Sequence, residues 1–149
     1  VAKVSFQMPD SLQRKFEKLA DRSGEIIDKC VEAGAEVAEK AVRNNLRSVL
    51  SSEHKNGELI NALGVTPVKT DKNGVHNAKI GFNEPRIHQS AANGKRSYST
   101  QTNAMIATVL EYGRSNQPAR PFLTPAKRSS QKQALAVMEK TYDEEAAKV

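Results

Sequence analysis

"EYGRSNQPARPFLTPAKR", residues Glu111 to Arg128, holds three of the six prolines of a 149-residue chain. Pro118 and Pro121 fix φ and push Gln117 and Arg120 toward extended backbone, so "QPARP" reads as a semi-rigid connector. Phe122 and Leu123 follow it as a paired apolar anchor. Thr124 suits a helix N-cap with Pro125 at the first helical position, where a missing N–H costs nothing. The last helix then carries Leu135, Met138 and Tyr142 on one face. It ends near Glu144 and Glu145, acids that sit unfavourably with the helix dipole and suit a basic neighbour. Upstream, Asn103 is placed to cap a short helix with Met105, Ile106, Val109 and Leu110 as its apolar stripe and Gly113 at its end. A strand over "TVLEY" is the alternative, and the three-and-four spacing favours the helix.

The first half has a different texture. Asp10 or Ser11 reads as an N-cap with Gln13 near the capping-box position, and Leu12, Phe16 and Leu19 follow at helical spacing. After Ser23-Gly24 the apolar positions resume from Ile26 to Leu50, which predicts one long helix with a weak point, or two helices. Small residues (Ala33, Gly34, Ala35, Ala38, Ala41) imply close packing along it, by a sheet or by a second copy of the helix. Glu25, Asp28, Lys29, Glu32, Glu36, Glu39, Lys40 and Arg43 form a polar face that reads as solvated. Beyond the polar run from Ser51 to Gly57, Asn73-Gly74 lies between Val65–Thr70 and Val75–Phe82 and signals a hairpin whose turn positions both tolerate positive φ. Ala78, Ile80 and Phe82 fall on one face of its second strand. Pro67 implies an edge position or a bulge in the first.

These elements predict a single α+β domain over 1–149: a long N-terminal helix and a C-terminal helix packed on a small antiparallel sheet containing a β-hairpin. Residues 1–9 read as an N-terminal arm. Residues 83–103, polar and longer than compact domains usually leave unstructured, read as a loop that is mobile or ordered by a partner. Aromatics are 5% of the chain and Trp is absent. The core is therefore built from Leu, Val, Ile and Ala with Phe16, Phe82 and Phe122 as larger anchors, and a core so thin is often completed by another subunit. The one cysteine, Cys30, has no internal disulfide partner, and the start lacks a secretory pattern, so a reducing compartment is expected. No apolar run approaches the roughly 20 residues that span a bilayer, and no membrane association is expected.

Formal charge is +6, and it is polarised. Between Pro85 and Met138 stand Arg86, Lys95, Arg96, Arg114, Arg120, Lys127, Arg128 and Lys132 against one acid, Glu111. Such a segment suits phosphates or an acidic surface on another subunit. Aromatic interleaving is sparse and no finger or helix-turn-helix spacing occurs, so sequence-specific nucleic-acid reading is not expected. His54, His76 and His88 are far apart, without HxxxH, HExxH or cysteine pairs, so no metal site is expected. No nucleotide-binding glycine pattern or nucleophile elbow is present. A metal nuclease built on Glu53, Glu58 or Asp71 would need acids that fall on different elements without ligand spacing. Glu111, framed by basic residues, suits an ion pair with Arg114 or Arg120, or with a neighbour's arginine. Neither catalytic residues nor a cofactor is expected.

"GELINAL" before the hairpin, with Gly57 and Leu59, and "ATVLEYGRSNQPARPFLTPA" before the last helix resemble the neck and tail-completion components of long-tailed bacteriophages. Glu111, Tyr112 and Gly113 stand where that family has its acidic-aromatic-glycine triplet. Pro118, Pro121, Phe122, Pro125 and Ala126 stand in its proline-rich segment, and the resemblance runs from about residue 10 to 148. The length and basicity of 83–103 depart from the pattern. The resemblance implies a virion protein at the head-tail junction, present in the host cytoplasm during assembly. It implies a homo-oligomeric ring between a head-completion or connector protein and a tail terminator or tail tube protein, with double-stranded DNA passing through without specific binding. Within that reading Glu111, Arg114, Arg120, Arg86, Lys95 and Arg96 are interface candidates, and Gly113, Pro118, Pro121, Phe122 and Pro125 are structural anchors that hold the contact angle. Arg120→Glu is then expected to spare the fold and impair assembly. The alternative is a small basic DNA-binding protein, recognisable by steeply salt-dependent binding to duplex DNA.

Overall fold

The computed structural model describes residues 5, 7–50, 57–84, 87–89, 96–98 and 101–149. In chain order the elements are α1 (Asp10–Val49), α2 (Glu58–Ala62), β1 (Leu63–Val65), β2 (Lys69–Thr70), β3 (His76–Asn77), β4 (Ile80–Phe82), β5 (Ile87–Gln89), β6 (Arg96–Tyr98), α3 (Asn103–Tyr112) and α4 (Leu123–Ala146). The architecture is α+β and mostly helical, with long first and last helices and small antiparallel pairs of strands, as the sequence predicts.

α1 is one uninterrupted helix of 40 residues, about 60 Å at 1.5 Å per residue. Ser23-Gly24 does not break it. Neither Asp10 nor Ser11 caps it; Pro9 holds the cap position without a side-chain bond, and its carbonyl accepts from the Leu12 and Gln13 amides at 3.0 Å each. Within the chain α4 packs along the small-residue stripe, meeting it at Gly34. α4 runs back along α1: Asn45 Nδ2 donates to the Phe122 carbonyl at 3.3 Å, and Lys29 Nζ meets Glu145 Oε2 at 2.7 Å. Between these points a Cβ on Gly34 would stand 2.7 Å from the Met138 sulfur, which is why the closest approach of the two helices falls at a glycine.

The expected hairpin forms in two sections. β1 pairs with β4 in the register Val65↔Ile80, and β2 pairs with β3 in the register Lys69↔Asn77. Residues 66–68 thus face residues 78–79 only, one extra residue on the strand that contains Pro67, which is the bulge that proline demands. The turn differs from the expected two-residue type. Gly74 alone has positive φ, at 78°, its amide donates to the Asp71 carbonyl at 3.0 Å, and Asp71 Oδ1 accepts from the Asn73 and Val75 amides at 2.8 and 3.0 Å. Asp71 is therefore a turn organiser rather than a metal ligand. The span 83–103 carries its own antiparallel pair, β5 with β6, in the register His88↔Ser97.

The core sits at the C-terminal end of α1. Val42, Leu46 and Leu50 pack with Leu59, Leu63, Ala107, Leu110, Phe122 and Ala126. Phe82 meets Phe122 edge to face, with ring centroids 6.3 Å apart, a favourable arrangement for their quadrupoles. Arg43 is not solvated: its guanidinium grips Glu39 and donates to the Ile60 and Leu63 carbonyls at 3.0 and 3.2 Å, tying α1 to α2 and β1. His76 Nδ1 lies 2.6 Å from Asp28 Oδ1 and ties β3 to the same helix.

Two apolar expectations reverse. Phe16, expected in the core, is 53% exposed. Leu135 and Tyr142 are exposed as well, because α4 turns Ala126, Ser130 and Glu145 inward instead. Small residues face α1 near the start of α4, Met138 enters where α1 has Gly34, and Glu145 reaches Lys29. Phe122→Ala should therefore lower stability by about 3–5 kcal/mol, and Phe16→Ala should change the isolated protein by less than about 0.5 kcal/mol, as read from urea unfolding.

Candidate functional site

The residues singled out by sequence converge where α3 ends and α4 begins. α3 starts from Thr102, whose Oγ1 accepts from the Met105 amide at 3.1 Å. Asn103, expected as the cap, is instead the first helical residue. It is buried, with Nδ2 donating to the Asn83 carbonyl at 2.8 Å. Ala107 and Leu110 face the core, and the helix stops at Gly113, where φ is 75°. A Cβ there would lie 2.7 Å from the Ala119 nitrogen. Both the left-handed backbone and the close approach of the following loop require glycine.

That loop is a tight reversal. The Arg114 and Gln117 backbones exchange hydrogen bonds at 2.9 and 3.0 Å, and the Arg120 amide donates to the Leu110 carbonyl at 2.7 Å. Pro118 and Pro121 stiffen the return, and Phe122 is fully buried.

Glu111 closes the junction. It is 4% exposed. Its Oε2 accepts from the Phe122 and Leu123 amides at 2.8 and 2.9 Å, and its Oε1 accepts from the Thr124 amide at 3.0 Å and the Thr124 hydroxyl at 2.7 Å. The leading N–H groups of α4, which no helical carbonyl serves, thus all meet one carboxylate. Pro125 has no N–H to satisfy, and Ala126 is the next residue to bond within the helix, to the Phe122 carbonyl at 3.3 Å. The helix begins at Leu123, so Pro125 holds the third helical position rather than the first, and Thr124 assists Glu111 instead of capping alone.

This placement corrects the reading of Glu111 as an interface acid or an ion-pair partner of Arg114 or Arg120. Its oxygens are committed to α4. Burial pushes the carboxyl pKa up, but the hydrogen bonds from the Thr124 side chain and the Phe122, Leu123 and Thr124 amides outweigh it and hold the pKa at about 2. Arg120 is half-buried and donates from Nη1 to the Val49 carbonyl at 3.1 Å. It serves the C-terminal end of α1, where a cation is favoured, so Arg120→Glu costs fold stability and is no clean test of a rim. Arg114 is exposed on the reversal, and Tyr112 beside it is 77% exposed. Of the other interface candidates, Arg96 lies in β6, while Arg86 and Lys95 lie outside the described residues.

A second polar knot holds the far end of α4. Glu145 is buried between Lys148 and Lys29, at 2.5 and 2.7 Å, and these hydrogen bonds lower its pKa to about 2. The basic neighbour expected for this end of the helix is in the same chain. Cys30 is buried, and burial together with the nearby Glu145 charge raises its thiol pKa. Among the described residues no group of three or more His, Cys, Asp or Glu could hold a metal ion. Glu53 and His54 lie outside them, Glu58 opens α2, His88 lies in β5, and His76 is engaged with Asp28.

The sign of the Glu111 effect on stability follows from its lowered pKa. The stabilisation is complete above the ordinary carboxyl value of 4.5 and is lost as pH falls toward about 2. Full loss is on the order of 3 kcal/mol. Glu111→Gln should cost about 2–4 kcal/mol at pH 7, because the new amide turns a donor toward backbone donors. The gap between wild type and Glu111→Gln should narrow by about 2 kcal/mol between pH 7 and pH 3 in urea unfolding.

The sequence pattern of one protein family matches residues 10–113 and is described as "Bacteriophage HK97-gp10, putative tail-component". The match takes in α1, the strands, α3 and the triplet Glu111-Tyr112-Gly113, and stops before the proline-rich return and α4. Neither a curated protein nor a solved structure matches the chain. With more than half of its length matched, and with the triplet at the end of α3 organising the fold, the chain belongs to the HK97-gp10-like family of bacteriophage tail components.

Proposed function

We propose that this protein is a structural virion protein of a long-tailed bacteriophage. It forms a homo-oligomeric ring at the head-tail interface, as a neck or tail-completion component, and joins head-completion proteins to the tail terminator or tail tube. The observation that carries the reading is the family match over residues 10–113. The physical design agrees with it. A carboxylate-locked junction gives a rigid body at one end of a helix about 60 Å long, suited to transmit a fixed angle between subunits. No helix among the described residues is long and apolar enough to cross a membrane. Arg114 and Tyr112, both exposed on the rigid reversal, are the rim residues of choice, with the basic strand pair region of Arg86, Lys95 and Arg96 beside them in sequence.

Light scattering across a concentration series, with electron micrographs of the large species, tests the reading. A discrete ring-sized oligomer is expected, and Arg114→Glu should weaken it at least tenfold while leaving urea unfolding unchanged. A monomer that binds duplex DNA, with log K falling by about one unit per phosphate contact against log salt, would favour the DNA-binding alternative instead.

A further inference from the structure

α4 ends beside Lys29, and α1, which starts at Asp10, extends past it for about 28 Å at 1.5 Å per residue. The face that is buried at Ile26, Cys30 and Gly34 continues past the polar, exposed Ser23 to Leu19, Phe16 and Leu12, at steps of three and four. On this overhang Leu12 and Phe16 are exposed, and Leu19 is partly so. A second uncovered apolar patch lies on the outer side of α4. Leu135 and Tyr142 are exposed, and a shallow hollow beside them is lined by Met138, Glu139, Tyr142 and Asp143.

We propose that these two surfaces fit each other between copies: the α1 overhang of one chain, through Leu12, Phe16 and Leu19, docks on the exposed Leu135 and Tyr142 of α4 in a second chain. The contact prolongs between chains the α1–α4 packing that already exists within each one. Charge favours it. Lys15 and Lys18 lie on one edge of the overhang stripe, with Glu17 on the other. Glu139 and Asp143 border the α4 patch where it nears the C-terminal end of the helix, with Lys132 two turns before them. All are exposed, and the docking sets the lysine edge against Glu139 and Asp143. Two overhangs packed antiparallel on one another would instead set Lys15 and Lys18 against their own copies, because a two-fold axis brings each edge of a stripe onto itself. The docking joins unlike patches, which is the contact type a ring requires, and it rests on the ring reading above.

The test uses the full chain. Phe16→Glu, and separately Lys15→Glu with Lys18→Glu, should raise the concentration needed for assembly at least tenfold, with helical circular dichroism unchanged because these side chains are exposed. Adding Glu139→Lys and Asp143→Lys to the lysine-reversed chain should restore assembly. Phe16→Cys and Leu135→Cys proteins should cross-link when mixed and neither should cross-link alone. An oligomer indifferent to Phe16→Glu and to the charge reversals overturns this docking and leaves the ring reading standing. Cross-linking of Phe16→Cys with itself overturns it in favour of paired overhangs. A wild-type protein that stays monomeric at every concentration, with no cross-link in the mixture, overturns both.

Discussion

The Glu111 carboxylate is the constraint on which the rest of the arrangement depends. It stands in the last turn of α3, where its own helix dipole disfavours a negative charge, and it faces the first turn of α4, where the dipole and unserved N–H groups favour one. By accepting from three amides and a hydroxyl, it determines where α4 starts and in which direction it leaves. Arg120 and Asn45 bind α1 to the same return through the Val49 and Phe122 carbonyls. Three helix ends meet at one place, joined by these hydrogen bonds. The prolines and Gly113 make that place reachable: they set the backbone so that Phe122 enters the core as its amide reaches Glu111.

From that junction the molecule becomes progressively less self-sufficient along α1. Near Leu46 the helix is enclosed by α2, α3, α4 and the first strand pair. Around Gly34 α4 covers it closely enough that a side chain on the glycine would collide with Met138, and His76 of β3 holds the same helix at Asp28. Beyond Ile26, which is itself buried, the apolar positions of the stripe come out into the open: Leu19 is partly exposed, and Phe16 and Leu12 are exposed. An enclosed end and an exposed helical end on one continuous helix are the features on which the assembly proposed above rests. The buried Glu145, held by Lys29 and Lys148, marks where one regime gives way to the other.

What could be read in the sequence was local. The Asn73-Gly74 hairpin, the Pro67 bulge, the helix over 103–112 and a proline in the first turn of the last helix each follow from backbone preferences of neighbouring residues. The role of Glu111 was not legible, because its partners lie eleven to thirteen positions later and belong to a helix whose start the carboxylate itself defines. An acid two positions before a helix-ending glycine, followed by a proline-rich return into a helix, is the signal that points to it. Phe16 and Leu135 misled for a different reason: periodicity reports that a stripe is apolar and not what covers it. The β5–β6 pair escaped because each strand has three residues and little apolar content, although Asn93-Gly94 between them in sequence repeats the hairpin signal of Asn73-Gly74.

The most direct test of this account is the titration of the Glu111 side-chain carboxyl by carbon-detected nuclear magnetic resonance in the folded protein. A pKa at about 2, with the Phe122, Leu123 and Thr124 amide shifts moving in the same transition, is the predicted result. A pKa near the ordinary 4.5, with those amides indifferent to it, would contradict the claim that one buried carboxylate sets the start of α4 and the geometry that follows from it.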